Sequence, residues 1–476
     1  MDINQSKKNF LNSNILKDIS FCFINPPVLD YALYDLFAVP LGTLKSINLL
    51  KFFGADVFYL DALNKDFDSS FFESGSIKPT IKKDGTGKYW KKRIEPPEIL
   101  KFYNREFYRF GIGFEKIIEI LKFEIIKRKK KFDFIIISSV FTYHYLGIKI
   151  LIDFLKENFI DTKIILAGIY PKIIENHAKS LGADYVFNKD ALKFIEFIFD
   201  ITSKDKKYLE LLKSSGILFY NTDNKSCDIL PDWEIIDNLR YGVIRITTGC
   251  PYNCPYCASR IISGKYARLN FECSLIQLKY FVKRNIFNIA FYDDALLIDE
   301  NHFLNFLKQA NKISNNFNFY LPNAIHIAKA TLNILKAMKN FKMIRFGLES
   351  LKFGDDKYGN KFKIDQLQNL INNLNDLKIQ KNVLSFYILV GLPYQTYDEV
   401  EYTIKMALKL GIKPRIAEFS PIPGTLLFED AKNEIIKNKK DFINIEEPLF
   451  QNPRIFCYVA TEFSQVAIKK LHSLIY

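Results

Sequence analysis

The stretch TTGCPYNCPYCASR, residues 247–260, places three cysteines within eight residues at the spacing C-x3-C-x2-C. A closed zinc or iron–sulfur site normally has four ligands from the protein, so this set is one ligand short. The remaining cysteines stand alone, at Cys22, Cys227, Cys273 and Cys457, and the sequence offers no further C-x2-C or H-x3-H pair. The pattern therefore predicts a metal site that three thiolates hold and that keeps one coordination position open. Structural zinc, with a fourth ligand from elsewhere, is the competing interpretation.

The chain on both sides of this stretch alternates short apolar runs with helical periodicity. From Tyr241 onward, the runs YGVIRITTGC, NIAFYDDA, FNFYLPNA, MIRFGLES, VLSFYILVGLP and RIAEFSPIPGT are each followed by a helical segment. Such alternation predicts a parallel sheet. Six strand–helix units are too few for a closed eight-stranded barrel and indicate a partial one, with polar groups at the carboxyl ends of its strands.

The first two hundred residues show the same alternation in a separate block. The apolar runs ISFCFINPP, ADVFYLDAL, FDFIIISS, KIILAG and DYVFN predict parallel strands covered by helices on both faces, which is a doubly wound α/β domain. An irregular polar insert separates the second and third runs. We therefore predict an α/β protein with a Rossmann-like domain at 1–202, a linker at 203–240, a partial (β/α)6 barrel at 241–430 and a small C-terminal segment at 431–476.

Composition limits the classes of partner. The chain has 476 residues and a net charge of +14, but its lysines are scattered, and the densest run, KRKKK at 127–131, closes a predicted helix where the helix dipole favours positive charge. Arginines and aromatics alternate near Tyr108, a pattern that nucleic-acid surfaces also show. We interpret them as packing of the insert and expect no nucleic-acid partner. No apolar run of about 18 residues predicts a membrane span, and unpaired cysteines favour a reducing cytoplasm.

The cysteine spacing, the aromatic Tyr256 before the third cysteine and the six-unit barrel together resemble the radical S-adenosylmethionine (SAM) superfamily. This resemblance implies that Cys250, Cys254 and Cys257 bind a 4Fe–4S cluster and that its open iron binds SAM. It also implies reductive cleavage of SAM to a 5′-deoxyadenosyl radical. An electron donor such as flavodoxin or ferredoxin is the partner that this chemistry implies.

Polar or glycine positions at the ends of the later strands extend the resemblance. FYDDALL stands where family members bind the methionine ammonium, although the usual Gly-Gly-Glu form is absent; LPNAI, RFGLES and LVGLPYQT end the next three strands. The ligand-binding positions that the resemblance implies, alongside Tyr256, are Asp293, Asp294, Asn323, Glu349 and Gly391. The alternative for each of these residues, considered alone, is that it is an ordinary loop residue and does not contact a ligand.

The N-terminal block resembles the cobalamin-binding domain of the cobalamin-dependent radical SAM enzymes. The resemblance implies corrin contacts near Thr142, His144 and Gly168. Cobalt-ligating histidines in other cobalamin proteins occur in Asp-x-His-x-x-Gly, whereas TYHYLG has Thr142 in place of the aspartate and follows the third strand. His144 could thus be a cobalt ligand, a corrin or substrate contact, or a structural residue. AGIYP and NKDALKF also depart from the usual motifs.

These features together predict a radical SAM enzyme with a 4Fe–4S cluster, SAM and cobalamin as cofactors. The activity that they favour is methyl transfer to an unactivated carbon or phosphorus centre of a small molecule or peptide. A cobalamin-independent rearrangement, cyclisation or oxidation is the alternative within enzymes. A non-catalytic iron–sulfur or cofactor-binding protein is the alternative outside them.

Overall fold

The computed structural model describes residues 14–221, 226–351 and 362–475. The chain divides into two units. The first unit comprises Met1–Tyr220 and Cys227–Leu239, and the second comprises Asn221–Ser226 and Arg240–Tyr476. Among the described residues, no helix is both long and apolar enough to cross a lipid bilayer.

The first unit is built on a five-stranded sheet in which every neighbouring pair is parallel. The strands are β1 (Ser20–Asn25), β2 (Asp56–Asp61), β3 (Phe134–Ser139), β4 (Lys163–Gly168) and β5 (Tyr185–Phe187). The order across the sheet is β5-β4-β3-β1-β2, so the chain starts in the interior of the sheet and adds strands on both sides. This order confirms the predicted α/β architecture with a parallel sheet.

Helices pack on this sheet in two groups. The helices are α1 (Leu41–Phe52), α2 (Phe114–Arg128), α3 (Tyr145–Asn158), α4 (Glu175–Ser180) and α5 (Ala191–Ile201). Phe21 and Phe23 of β1 belong to a core that they share with α1 and α5, which pack against each other. The alternate β1 residues, Cys22 and Ile24, are fully buried as well, and α2 packs with α3. The strands are continuous apolar runs because both of their faces are covered.

The polar insert forms short antiparallel strands instead of irregular loop. Val28–Asp30, Lys91–Ile94 and Phe107–Phe110 make one three-stranded sheet, in which Phe107–Phe110 is the central strand. Arg109 is buried and pairs with Glu73, and the Lys91 ammonium lies 3.6 Å from the centre of the Tyr108 ring. The alternating arginines and aromatics therefore have partners within the insert, in agreement with the packing interpretation.

The segment that we predicted as a linker, 203–240, packs against the first unit over its described part. Leu212, Leu218 and Ile229 lie in the same hydrophobic core as β1. Lys45 of α1 and Asp228 form a buried ion pair, which ties the segment to the body of the unit. No strand–helix rhythm is visible in this part of the sequence because the segment consists of short helical turns, including Leu211–Ser214, and two short strands.

The second unit contains a six-stranded parallel sheet whose strands follow one another in chain order. A helix follows each strand, so six strand–helix units are present, as the periodicity predicts. The strands are β6 (Gly242–Ile244), β7 (Asn288–Phe291), β8 (Asn318–His326), β9 (Met343–Glu349), β10 (Leu384–Val390) and β11 (Lys413–Glu418). The helices are α6 (Glu272–Lys283), α7 (Glu300–Ile313), α8 (Leu332–Ala337), α9 (Ile364–Asp376), α10 (Tyr397–Lys409) and α11 (Leu427–Lys437).

The C-terminal segment packs onto the carboxyl end of this sheet. Its last helix, α12 (Gln465–Ile475), lies against α10. Upstream of α12, Cys457 is fully buried beside Gly391, the residue that follows β10. Gly391 has φ +83°, and a Cβ added there would lie 2.7 Å from Cys457 Sγ. Both the backbone conformation and the close approach of Cys457 therefore require glycine at this position.

Replacement of Gly391 by alanine is expected to lower the thermal unfolding midpoint of the protein by several degrees. The left-handed conformation costs about 1–2 kcal/mol for a residue with a Cβ, and the clash with Cys457 adds to that cost. Gly182→Ala is the matched control, because Gly182 has φ +91° but nothing within 4 Å of an added Cβ. Differential scanning fluorimetry should show a larger loss for Gly391→Ala, and Cys457→Ala should restore part of it. Equal losses at the two glycines would contradict the contact.

Candidate functional site

The three-cysteine loop begins directly after β6 and is held by the backbone on both sides. Thr247–Thr248 pairs with Ala267–Arg268 in a short antiparallel ladder, and Cys250 N–H donates to Gly264 O at 3.3 Å. Gly249 has φ +66°, and a Cβ there would lie 2.3 Å from Lys265 O. The loop can therefore fold back this tightly only with glycine before the first cysteine.

The thiols of this loop lie near one another. Burial raises the pKa of Cys250, and the neighbouring groups Cys254, Cys257 and Asp294 raise it further through their charges. Cys254 and Cys257 are half-buried, and Cys257 Sγ accepts a hydrogen bond from Ser259 N–H at 3.5 Å. Within the described residues, no three His, Cys, Asp or Glu side chains are close enough to hold one ion. This donor set fits a cluster better, because a cluster binds each thiolate at a different iron atom.

Asp293, two residues beyond β7, fixes the start of the cysteine loop. Its Oδ1 accepts hydrogen bonds from Ile246 N–H at 3.0 Å, from Thr247 N–H at 2.6 Å and from the Thr247 hydroxyl at 2.7 Å. Its Oδ2 is buried and has no hydrogen-bond partner in the described part of the chain. One carboxylate oxygen thus holds the loop, while the other is free to accept a hydrogen bond from a ligand.

A partly open pocket lies beside this aspartate. Asp293, Asp294, Asn323, His326 and Lys329 contribute the polar part of its lining. Asn323 Nδ2 donates to the backbone oxygen of Asp293 at 3.3 Å, which links the ends of β7 and β8. The structure therefore gathers three of the predicted ligand positions, Asp293, Asp294 and Asn323, around one cavity.

Glu349 and Gly391 end the next two strands and do not line this cavity. Glu349 is buried with φ +59°, and its Oε1 would lie 2.6 Å from a Cβ at Gly347. The register of β9 against β10 shifts between Gly347 and Glu349. Position 391 lies close to Cys457, so packing within the protein already explains why the residue there is glycine. The predicted ligand roles of Glu349 and Gly391 stay predictions.

An aromatic contact also joins the cysteine loop to β8, and sequence reasoning did not find it. The ring of Tyr252, between the first two cysteines, stacks on the ring of His326 with centroids 4.1 Å apart and planes at 21°. His326 lies at the end of β8 and lines the cavity. Tyr256, the aromatic that the sequence did single out, is half-buried in the same loop.

The carboxyl group of Asp293 gives the protein a testable pH dependence. Burial raises its pKa to about 7, although the hydrogen bonds from Thr247 and Ile246 oppose this rise. Because the folded pKa lies above the unfolded value, this group stabilises the fold most at low pH and loses that effect as the pH rises through about 7. Each pKa unit is worth about 1.4 kcal/mol, so the loss is on the order of 4 kcal/mol.

We therefore expect Asp293→Asn to change the pH profile of the unfolding midpoint. The midpoint of the wild-type protein should fall relative to that of the variant as the pH rises from about 4 to 8. Asparagine keeps an oxygen for the three donors and removes only the titration. Fluorimetric unfolding curves of the cluster-free proteins measure this difference. Parallel profiles would mean that the Asp293 pKa is not raised.

The first unit contains a second buried polar group at the carboxyl end of its sheet. His144, in the 3-10 turn Thr142–His144 after β3, is buried, and its Nε2 lies 3.1 Å from Asp30 Oδ2. Asp30 ends the short strand that follows β1 and is also buried. A carboxylate that orients the His144 ring is thus present, although TYHYLG itself does not contain it. Only the tertiary fold brings it to the ring, so the sequence pattern could not reveal it.

The other predicted positions of this unit lie near the same edge. Thr142 is buried in the turn that ends at His144. Gly168 ends β4 with φ +117°, and a Cβ there would lie 2.1 Å from Ser139 O. Close packing against β3 therefore requires glycine at 168, whatever ligand the unit binds. Beside them, Val140 and Phe141 are 44% and 47% exposed, so an apolar surface follows β3.

A loop of three neighbouring thiols at the carboxyl end of a sequential parallel sheet defines an α/β domain built to hold a metal cluster. Residues 244–407 match the family described as the radical SAM superfamily. These residues are a radical SAM domain, and the resemblance predicted from the cysteine spacing is confirmed.

Curated relatives and solved structures extend the comparison. An uncharacterized methyltransferase, PH0819 of Pyrococcus horikoshii, is 29% identical over 43% of this chain and 45% of its own length. The threonylcarbamoyladenosine tRNA methylthiotransferase MtaB of Thermotoga maritima is 24% identical over 58% of this chain and 64% of its own. The chain thus spans about half to two thirds of these relatives.

The chain is also similar in fold to a solved radical SAM methyltransferase. This is TsrM of Kitasatospora setae, with cobalamin and a [4Fe-4S] cluster bound, at a TM-score of 0.59 and 11% identity. The match covers 87% of this chain and 78% of TsrM, so it includes parts of both units. At this identity the likeness shows the fold alone.

Proposed function

We propose that this protein is a radical SAM enzyme that binds a 4Fe–4S cluster, SAM and cobalamin and transfers a methyl group to an unactivated centre of its substrate. The observation that carries the proposal is the cysteine loop, whose thiols neighbour one another and whose Cys250 is near Asp294, a residue that lines a pocket together with Asp293. Methyltransferases among the relatives and the fold likeness to TsrM support the type of reaction. When bound, the cluster supplies the electron that cleaves SAM, and cobalamin supplies the methyl carrier.

The residues of the second unit would bind and orient SAM. Cys250, Cys254 and Cys257 would hold the cluster. The free Asp293 oxygen and the Asp294 carboxylate would accept hydrogen bonds from the methionine ammonium, because charge-assisted hydrogen bonds to a carboxylate are strong. Asn323 can reach a ribose hydroxyl or the SAM carboxylate from the same cavity. Glu349, Tyr256 and the backbone at Gly391 are the remaining candidate contacts.

The residues of the first unit would bind the corrin. The exposed Val140 and Phe141 offer an apolar surface at the carboxyl end of β3, which suits a flat macrocycle. Thr142 and Gly168 lie at the same edge, and the Asp30 carboxylate orients the His144 ring. Since Asp30 occupies Nε2, only Nδ1 of His144 would be available to a ligand. This donor set fits cobalamin, with His144 as a contact.

The proposal is tested without knowledge of the substrate. Anaerobically reconstituted protein, supplied with cobalamin, methyl-labelled SAM and a chemical reductant, is expected to form 5′-deoxyadenosine and to carry label in the corrin fraction. Flavodoxin or ferredoxin should replace the reductant. If 5′-deoxyadenosine forms without labelled corrin, the enzyme performs a cobalamin-independent rearrangement, cyclisation or oxidation instead. If no SAM is cleaved, the chain is a non-catalytic iron–sulfur protein.

A further inference from the structure

The six-stranded sheet of the second unit has two faces of different chemistry. On one face, Phe291 of β7 packs against Phe303 and Phe306 of α7. Gly242 faces the same way, because a Cβ there would meet the Phe281 ring of α6. Sequential parallel strands joined by right-handed crossovers carry their helices on a single side. This helix-covered face is therefore the outer face, and the alternate residues form the inner face.

The strand register identifies the inner-face residues. Val243 pairs with Ala290, Ala290 with Tyr320 and Tyr320 with Met343 across β6 to β9. Farther along, Arg345 pairs with Ser385, and Gly347 pairs with Tyr387, which pairs with Arg415. Because paired residues point to one side of a sheet, all of these belong to the inner face. Arg245 follows β6 two residues after Val243, in the same alternation.

The inner face differs from an ordinary barrel interior, which bulky branched apolar residues fill. It carries three arginines, at Arg245, Arg345 and Arg415. Arg345 is only 5% exposed; its guanidinium donates to the Tyr387 hydroxyl, which donates to Pro322 O at 3.2 Å. Pro322 lies between Leu321 and Asn323, which line the cavity. The Arg345–Tyr387 pair is thus connected to the wall of that cavity.

The other two arginines have buried donors left over. The Nε atoms of Arg245 and Arg415 are buried and have no hydrogen-bond partner among the described residues. Arg415 on β11 pairs with Tyr387 on β10. Tyr387 therefore stands between Arg415 and the strand β9, which carries Arg345. Both side chains are half-buried, and a buried N–H donor without an acceptor is costly unless a ligand supplies one. Two arginines on one polar face therefore indicate an anionic ligand.

We propose that the inner face binds an anionic group of the substrate, a carboxylate or a phosphate, between Arg345 and Arg415. Planar guanidinium groups suit either anion, because they donate two parallel hydrogen bonds. The identification of this ligand as the substrate rests on the proposed function, whereas the anion site itself does not. The substrate class would then be acidic metabolites or peptides.

The first experiment uses inorganic phosphate as the probe and the cluster-free full chain. Unfolding midpoints are measured across phosphate concentrations at constant ionic strength, with chloride as the balancing ion. Phosphate should raise the midpoint of the wild-type protein, because a ligand of the folded state stabilises it. Arg415→Gln should weaken phosphate binding at least tenfold, roughly the value of one charge-assisted hydrogen bond. Arg415→Lys should weaken it less, and circular dichroism verifies that both variants fold.

The matched control is Arg284→Gln, which removes the same charge from the exposed end of α6. It should respond to phosphate as the wild-type protein does. An equal phosphate response in Arg415→Gln and Arg284→Gln, or no response in the wild-type protein, would overturn the anion site.

The second experiment distinguishes the substrate from SAM, whose own carboxylate is an alternative anion. Equilibrium dialysis of labelled SAM is compared between reconstituted wild-type protein and Arg415→Gln. Affinities within about twofold of each other support a substrate anion, whereas SAM binding at least tenfold weaker in the variant assigns the arginines to SAM and overturns the proposal. If the wild-type protein binds no SAM, the proposed function fails while the phosphate result still stands.

Discussion

The Cys254→Ala protein is expected to bind no intact 4Fe–4S cluster and to form no 5′-deoxyadenosine from SAM. The loop provides three thiolates near one another, and within the described residues no further His, Cys, Asp or Glu completes a metal-binding group with them. Removal of one thiolate leaves two, which is too few to keep a cluster that already lacks a fourth protein ligand. Iron and acid-labile sulfide analysis and the visible spectrum measure the cluster, and chromatography measures 5′-deoxyadenosine.

Cys273→Ser is the matched control for this experiment. Cys273 is a fully buried residue of α6, and Gln277 Nε2 donates to its sulfur at 3.4 Å. Serine keeps an acceptor in that place, so the variant should retain its cluster and its SAM cleavage. Full iron and sulfide content in Cys254→Ala, or loss of the cluster in Cys273→Ser, would disprove the assignment of the three-cysteine loop.

Asp293→Ala is expected to lower both the stability of the protein and its capacity to hold the cluster. The substitution leaves the buried N–H groups of Ile246 and Thr247 without an acceptor, at a cost of about 1–3 kcal/mol for each. These residues lead directly into the cysteine loop, so the loop should lose its fixed position. Unfolding midpoints and iron content after reconstitution measure the two effects.

Asp293→Asn separates the two roles of this residue. Asparagine still accepts the hydrogen bonds from Ile246 and Thr247, so its iron content should stay near that of the wild-type protein. Its affinity for SAM should fall, because the proposed carboxylate contact with the ammonium is lost. A normal iron content in Asp293→Ala would show that Oδ1 does not position the loop, and unchanged SAM affinity in Asp293→Asn would remove the ammonium contact.

Much of the fold followed from periodicity alone. The runs FDFIIISS and NIAFYDDA form strands, as their apolar character predicts. Continuous apolar residues suit a strand that is covered on both faces of its sheet. The segment 203–240 is predicted as a linker because short strands and single turns of helix show no sequence period. Leu212 and Ile229 nevertheless lie in the core of the first unit.

Some features of the candidate site follow from residues that are close in sequence, and others depend on contacts between residues that are far apart in sequence. The cysteine spacing is local, and so is the position of Asp293 and Asn323 near the carboxyl ends of their strands. The partners of these residues are not local, since Asp30 and His144 are 114 positions apart and Asp293 binds a backbone 46 positions away. A hydrogen bond between distant segments leaves no periodic trace in either of them.

The sequence by itself determined the three-cysteine loop and the two blocks of alternating strands and helices, because spacing and periodicity act within a few residues, and the class of chemistry followed from the family that this loop resembles. Only the tertiary structure decided which carboxylate orients His144, why Gly391 must be glycine and that Arg345 and Arg415 share one face. Those facts depend on register and packing between strands, which bring together side chains that the chain keeps far apart.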